Sequence, residues 1–411
     1  MHDAGALDAP WRVVLLALVF GIVAVGTDMY LPALPAIRAA FATTTQVVQL
    51  SLSVFLYGNA LGQLVYGPLS DRYGRRPLLL GGLATYAVAS LGCALAPDAT
   101  SFLLCRALQG VAAAGGPVLV RALVNDHLDR LQAARLLALL TAVMAFSAML
   151  TPIAGGWIVG RAGWQTIFLC MTGLGLLLLA TSAHVIRESL PPARRLARLS
   201  AAEVAYGYLE IARRAAFWCY VLPPALMFAT VFAYVSANSF LIIDRLGVAE
   251  RHHGGIYAIA ACAFVAGSLT SHRLVLRAGI ERAIVTGLAL GNAAACLACA
   301  ASLLLPLSLP LVVLPGVATF FATALVVPIA AASAVSLFPH RAGSASAVAG
   351  CTQISIAALG TAASALLVDQ DTLPMHAFTL ACMLAAALVW RAGAGIRARE
   401  LARHGHAIAG A

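Results

Sequence analysis

Two charged side chains stand inside long apolar runs. Asp28 lies within the run 12–35 and is the only one of 16 acidic residues placed well inside such a run; Arg106 lies within the run 101–123. A lone ionisable group in hydrocarbon is costly, so such groups usually serve the movement of ions or protons. Desolvation and a nearby cation act on a carboxyl group in opposite directions. A carboxyl group set between them can bind and release a proton as its exposure changes. At 1.5 Å per helical residue, Asp28 sits about 10 Å and Arg106 about 8 Å from the outer ends of their runs, at matching depth. The expected chemistry is therefore proton coupling, with Asp28 as carrier and Arg106 gating it or positioning cargo. The plainer reading gives Asp28 only a structural hydrogen bond to a neighbouring helix. Further polar side chains within apolar runs are candidates for a cargo cavity: Tyr30, Gln49, Ser53, Tyr57, Asn59, Gln63, Gln109, Tyr234, Asn238, Thr352, Gln353 and Ser355, with Phe228, Phe232 and Tyr257 as an aromatic wall. Taken singly, each of these also suits helix–helix packing.

The elements that must hold these residues follow from composition. Of 411 residues, 62% are hydrophobic and 10% charged, and the mean hydropathy is +0.92. A soluble domain carries about a quarter charged residues, so a soluble enzyme and a disordered chain are both excluded. The apolar runs are continuous rather than alternating, which argues against a membrane β-barrel. Runs of about 20 residues suit membrane-crossing helices, and twelve are read: 12–35, 46–67, 77–96, 101–123, 134–159, 164–186, 217–242, 254–275, 282–304, 310–336, 345–367 and 375–391. The first run has full spanning length and continues into polar residues, so it is expected to be a retained span, not a cleaved leader. The fold class is all-α, a polytopic membrane protein with twelve helices in two pseudo-symmetric halves, 1–186 and 217–411. A basic segment, 187–216, joins them. Within it, Ser200 and Glu203 form a capping-box pattern, so 201–214 is expected to be a surface helix whose basic and apolar faces suit the cytoplasmic membrane surface.

Charge sets the orientation. All 26 basic residues are arginine. With both termini cytoplasmic, the inner side holds the great majority of them, and Arg38, Arg161, Arg245 and Arg251 lie outside, as the positive-inside rule requires. The net charge of +10 is thus a matter of topology rather than of nucleic-acid binding. The nine cysteines fall almost entirely in apolar runs and read as small hydrophobes. Cys296 and Cys299 have CxxC spacing but sit mid-helix, so no metal or other cofactor is expected.

Specific motifs sharpen the reading. Gly67-Pro-Leu-Ser-Asp71-Arg72-Tyr-Gly74-Arg75-Arg76 follows the second span. Its glycines permit a tight turn, and Asp71 and Arg75, four apart, can pair. A related pattern, Gly267 to Arg273 and then Gly279, follows the eighth span, which points to an internal repeat and a binding site between two halves. The first segment resembles the signature loop of the major facilitator superfamily. That resemblance implies a conformational charge relay of Asp71, Arg72, Arg75 and Asp126. Arg106-Ala-Leu-Gln109-Gly110 is similar to the superfamily's second signature. Ser147-Ala-Met-Leu-Thr151-Pro152-Ile-Ala-Gly155-Gly156 resembles its antiporter signature, with Ser147 and Thr151 in place of glycines. Pro152, Gly155 and Gly156 would make that helix bendable and closely approachable; Gly58 and Gly62 have the same close-packing logic. Gly26-Thr27-Asp28-Met29-Tyr30-Leu31-Pro32 resembles the bicyclomycin and chloramphenicol resistance branch of the drug–proton antiporters. Some members of that branch carry a second acid earlier in span one; here that stretch is Leu18-Val19-Phe20-Gly21, which suggests one proton per cycle.

The resemblance implies a proton-coupled exporter of small amphipathic drugs or metabolites, working by alternating access as a monomer in a bacterial inner membrane. Its partners would be the cargo, protons and the bilayer. The alternatives are an importer of a sugar, purine or metal on the same fold, or a non-transporting receptor. Copper import would need paired Met or Met/His ligands within helices, whereas Met144 and Met149 fall on different faces. No hydrolase triad and no phosphate-binding loop appears, so an enzyme is not expected.

Overall fold

The computed structural model describes residues 10–191, 195, 200–338, 341–367 and 372–400. The linker residues Arg194 and Arg198, the break residues Pro339, His340 and Asp369–Asp371, and Arg403 lie outside the described residues. Among those described there is no strand. The helices are α1 (Pro10–Phe20), α2 (Ile22–Asp28), α3 (Leu34–Ala40), α4 (Thr45–Tyr73), α5 (Arg75–Ala94), α6 (Ala99–His127), α7 (Arg130–Ala162), α8 (Trp164–Val185), α9 (Ala201–Ala212), α10 (Ala215–Ser239), α11 (Glu250–Ala278), α12 (Ile280–Leu304), α13 (Leu309–Ser336), α14 (Ala342–Leu367) and α15 (Leu373–Ala392). A 3₁₀ turn, Leu31–Ala33, lies between α2 and α3, and a π-helix, Phe240–Arg245, continues α10.

Among the described residues, eleven helices are long and apolar enough to cross a membrane, and a bent pair, taken as one span, makes a twelfth. The surface helix expected in the linker is α9. The bent pair is the first span, which turns by 46° between Trp11–Phe20 and Ile22–Ala40. The break at Gly21 is followed by a second at Asp28, which has a covalent cause. Pro32 has no N–H to offer the Asp28 carbonyl four residues back, and its ring crowds that carbonyl. The α-helix therefore stops at Asp28 and the chain tightens into the 3₁₀ turn. The two ionisable landmarks thus differ in setting: Asp28 terminates a helix, while Arg106 lies inside α6, in its third turn.

Contacts divide the chain into two compact units, Met1–Ser200 with Asn238–Ala261, and Ala201–Ala237 with Cys262–Ala411. In the first, α4 and α6 pack main chain to main chain. A Cβ at Gly58 would collide with the Ala107 carbonyl, one at Gly62 would come 2.7 Å from the Val111 carbonyl, and one at Gly110 would collide with the Phe55 carbonyl. The small-xxx-small spacing of Gly58 and Gly62 therefore marks a true close crossing. In the second unit, α12 packs on α13 and α15 around Ile284, Leu288, Val326 and Met383.

The signature loop differs from the expected turn in one respect. Gly67 stays inside α4, which runs on past Pro68 to Tyr73, and the space beside it is open. The turn is made at Gly74 alone, with φ +99°. Gly279, with φ +84°, makes the corresponding single-residue junction between α11 and α12. All nine cysteines are free.

Candidate functional site

Arg106 is fully buried in the first unit. Its Nη1 donates to the Gly26 carbonyl at 3.0 Å and to Gln109 Oε1. Its guanidinium carbon lies 4.1 Å from the Tyr30 ring centroid, 4.4 Å from Phe55 and 5.9 Å from Phe168. Aromatic faces attract a desolvated cation, by as much as about 2 kcal/mol each, but they do not saturate its donors. Nε and Nη2 have no hydrogen-bond partner. A guanidinium with open donors and no ion pair among the described residues is an arrangement that folding alone would not favour.

The bonded carbonyl, Gly26, is two residues from Asp28, so the matching depth read from the sequence takes the form of a main-chain contact. Asp28 is itself buried, at 6% exposure, and no ion pair reaches it among the described residues. Gly26 has to lack a side chain here, because a Cβ would lie 2.7 Å from the Phe55 ring. Tyr30 packs on Phe168 and shares a hydrogen bond of 3.2 Å with Ser51. Gln109 extends the network, donating to Ser90 Oγ at 2.7 Å and to Met171 Sδ at 3.6 Å. The Tyr86 hydroxyl is also buried, without a partner.

The remaining cavity candidates are dispersed. Gln49 and Asn59 are buried within the first unit. Asn59 donates to the Gly110 carbonyl at 3.4 Å and accepts from Gln63 at 2.9 Å. Tyr57 is half-buried. Asn238 is fully buried in the first unit, with neither amide atom hydrogen-bonded. In the second unit, Phe228 packs on Phe232 and Phe264, Tyr234 packs on Phe320 and against Gly316, and Gln353 is half-buried on α14.

The antiporter-like segment is a double crossing. A Cβ at Gly155 would collide with the carbonyl of Met29, the residue after Asp28, while one at Gly156 would come 2.6 Å from the Glu250 carbonyl. From the other side, a Cβ at Gly254 would come 2.5 Å from Ile153 Cα and closer still to the Pro152 carbonyl. α7 is thus wedged between the end of α2 and the first turn of α11, all within the first unit.

At the other end of this unit, Arg75 gathers the charge relay. It pairs with Asp71 at 2.6 Å and Asp126 at 3.3 Å, and it bonds Ser70. Arg72 lies 5.1 Å over the Tyr73 ring instead of joining these carboxylates. The sequence did not single out Glu188, which completes the cluster. Its carboxylate accepts the backbone N–H groups of Arg75 at 2.9 Å, Arg76 at 3.3 Å and Leu190 at 3.1 Å. It caps the amino terminus of α5 from 113 residues away and fills the space a Cβ on Gly74 would need. Ser189 donates to Asp126 at 2.7 Å, and Arg76 donates to the Ile186 and Ala183 carbonyls, both at 2.8 Å. The only hint in the sequence was an acid standing among arginines. Glu188→Ala is expected to lower stability by about 1–3 kcal/mol, since three donors lose an ionised acceptor. A melting curve of the purified protein checks this, and Glu188→Gln should lose less.

Helices of spanning length around a buried arginine, bonded to the main chain two residues from a buried carboxyl group, describe a polytopic membrane protein. The sequence matches the family model of the Major Facilitator Superfamily over residues 16–362, and the chain belongs to that family of transporters. It is 32% identical over 386 residues to a chloramphenicol resistance protein of Pseudomonas aeruginosa, covering 90% of this chain and 89% of the relative. It is 28% identical over 369 residues to a bicyclomycin resistance protein homolog of Haemophilus influenzae, covering 89% and 91%. With the uncharacterized MFS-type transporter YdgK of Bacillus subtilis the identity is 35% over 260 residues, covering 62% of this chain and 64% of the relative's length. Among solved structures, a D-xylose–proton symporter superposes with a TM-score of 0.70 at 16% identity, covering 93% of this chain and 98% of the other; at that identity the likeness concerns the fold. The family is one of transporters, not enzymes, and the chain is a multi-pass membrane protein of that family.

Proposed function

We propose that the chain exports small amphipathic compounds in exchange for protons, as a monomer in a bacterial inner membrane with both termini cytoplasmic. The halves 1–186 and 217–411 alternate access to a cavity between them, with 187–216 as the cytoplasmic link. Asp28 carries the proton and Arg106 positions its helix end. The observation behind this reading is the Arg106 guanidinium, fully buried with two open donors and tied to the main chain two residues from Asp28. Such a cation can hold a carboxylate in one stage of a cycle and release it in another. The names of the relatives supply the cargo class: two are called resistance proteins for chloramphenicol and bicyclomycin.

Addition of chloramphenicol to purified protein in weakly buffered detergent solution should release about one proton per bound molecule, as a single coupling carboxyl group requires. Asp28→Asn should bind cargo without releasing protons. Equal release from the two proteins would reject the assignment of Asp28. Cells lacking other pumps should gain tolerance on expression, and a protonophore should remove it.

A further inference from the structure

A second, separate charge contact sits near the outer ends of the spans. Arg38, in the last turn of α3, pairs through Nη2 with Asp244 Oδ2 at 2.9 Å. Its Nη1 donates to Thr45 Oγ1, at the start of α4, at 3.2 Å. Its guanidinium also lies 5.5 Å over the ring of Phe240. Phe240 and Asp244 open and nearly close the π-helix that ends span seven. All of these residues belong to the first compact unit.

Four features set this pair apart from incidental surface charge. One arginine engages a carboxylate, a hydroxyl and an aromatic face at once, the first and last from the π-helix and the hydroxyl from the start of α4, so three elements meet at its side chain. Its carboxylate partner is on a π-helix, a rare geometry that often marks functional positions. Phe240, Leu241 and Ile242 are buried while Asp244 is exposed, so one short segment joins the core to the ion pair. Finally, span seven reaches the segments flanking Asp28 through this contact: Arg38 follows Asp28 by ten residues, across the Pro32 and Pro35 turn.

We infer that Arg38 and Asp244 form an outer latch, which holds the end of span seven against the junction of spans one and two and must part when the outer side opens. This rests on the membrane orientation and alternating access proposed above. The pair is about one-third exposed on each side, 35% and 28%. Such pairs are weak and screened by salt, which suits a contact that has to break in every cycle. The latch biases the closed arrangement instead of locking it.

The test reads the distance between spin labels at Ala39 and Ala249 in the full-length protein, by pulsed electron resonance in lipid nanodiscs. Arg38→Glu and Asp244→Arg should each raise the population with parted labels about fivefold, the scale of one exposed ion pair. The double exchange R38E/D244R should restore the original distribution. Single variants that match the parent, or a double variant as open as the singles, would overturn the latch. Should the exchange variants fail to fold, Asp244→Asn serves instead. Raising the salt concentration should then part the labels in the parent but leave the variant unchanged, and equal salt responses would overturn the inference. None of these readings depends on proton coupling. Coupled release that survives Asp28→Asn would remove the assignment of Asp28 and leave the latch standing, whereas label distances indifferent to charge would remove only the latch.

Discussion

Arg106→Ala is expected to abolish transport and to destabilise the protein by about 3–5 kcal/mol, the scale of emptying a large buried site and orphaning its partners. The Gly26 carbonyl and Gln109 Oε1 both lose their donor, and the space between Tyr30 and Phe55 is left empty. Arg106→Lys is the sharper test. Lysine keeps the charge, but it has neither a planar face to lie between two rings nor a fork of donors. It should fold, with transport reduced at least about tenfold, equivalent to about 1.4 kcal/mol of lost interaction. Counterflow of labelled cargo in proteoliposomes, run beside a melting curve, separates the two effects. A lysine variant as active as the parent would show that charge alone suffices and that the aromatic sandwich is only packing.

Gly155→Ala is the second large effect. The added methyl group would enter the carbonyl oxygen of Met29, and a main-chain atom cannot swing aside as a side-chain tip can. Overpacking of this kind costs about 1–3 kcal/mol, and the strain falls on the residue that follows Asp28. Proton release and cargo movement should therefore fail together. Gly160 is five residues along the same helix with open space around it, so Gly160→Ala should leave both unchanged. Equal tolerance of the two substitutions would mean that the wedge of α7 against α2 does not transmit motion.

Much of this architecture is legible in the sequence because hydrocarbon imposes it. Uninterrupted apolar runs and glycines four apart each follow from a single physical demand. Asp28 and Arg106 stand out for the same reason, as charge where charge is costly. Their actual relation was not legible. Charge alone pairs them with each other, but the guanidinium holds a main-chain carbonyl, and every residue type has one of those. Glu188 is hidden in a similar way: its work depends on the chain returning to Gly74 from a distant segment, which no local pattern records. The elbow at Gly21 looks like any glycine in an apolar run. Gly67 misled because its freedom to turn was read as a turn, yet α4 continues for a further turn and a half.

The glycine junctions have a mechanical consequence. α4 passes to α5, and α11 to α12, through one residue each, Gly74 and Gly279. A linkage that short has no slack in length, so a displacement at the end of one helix is passed directly to the start of the next. Lengthening either junction by a single alanine would put slack between its two helices and rotate the second against the first, without replacing any group that handles protons or cargo.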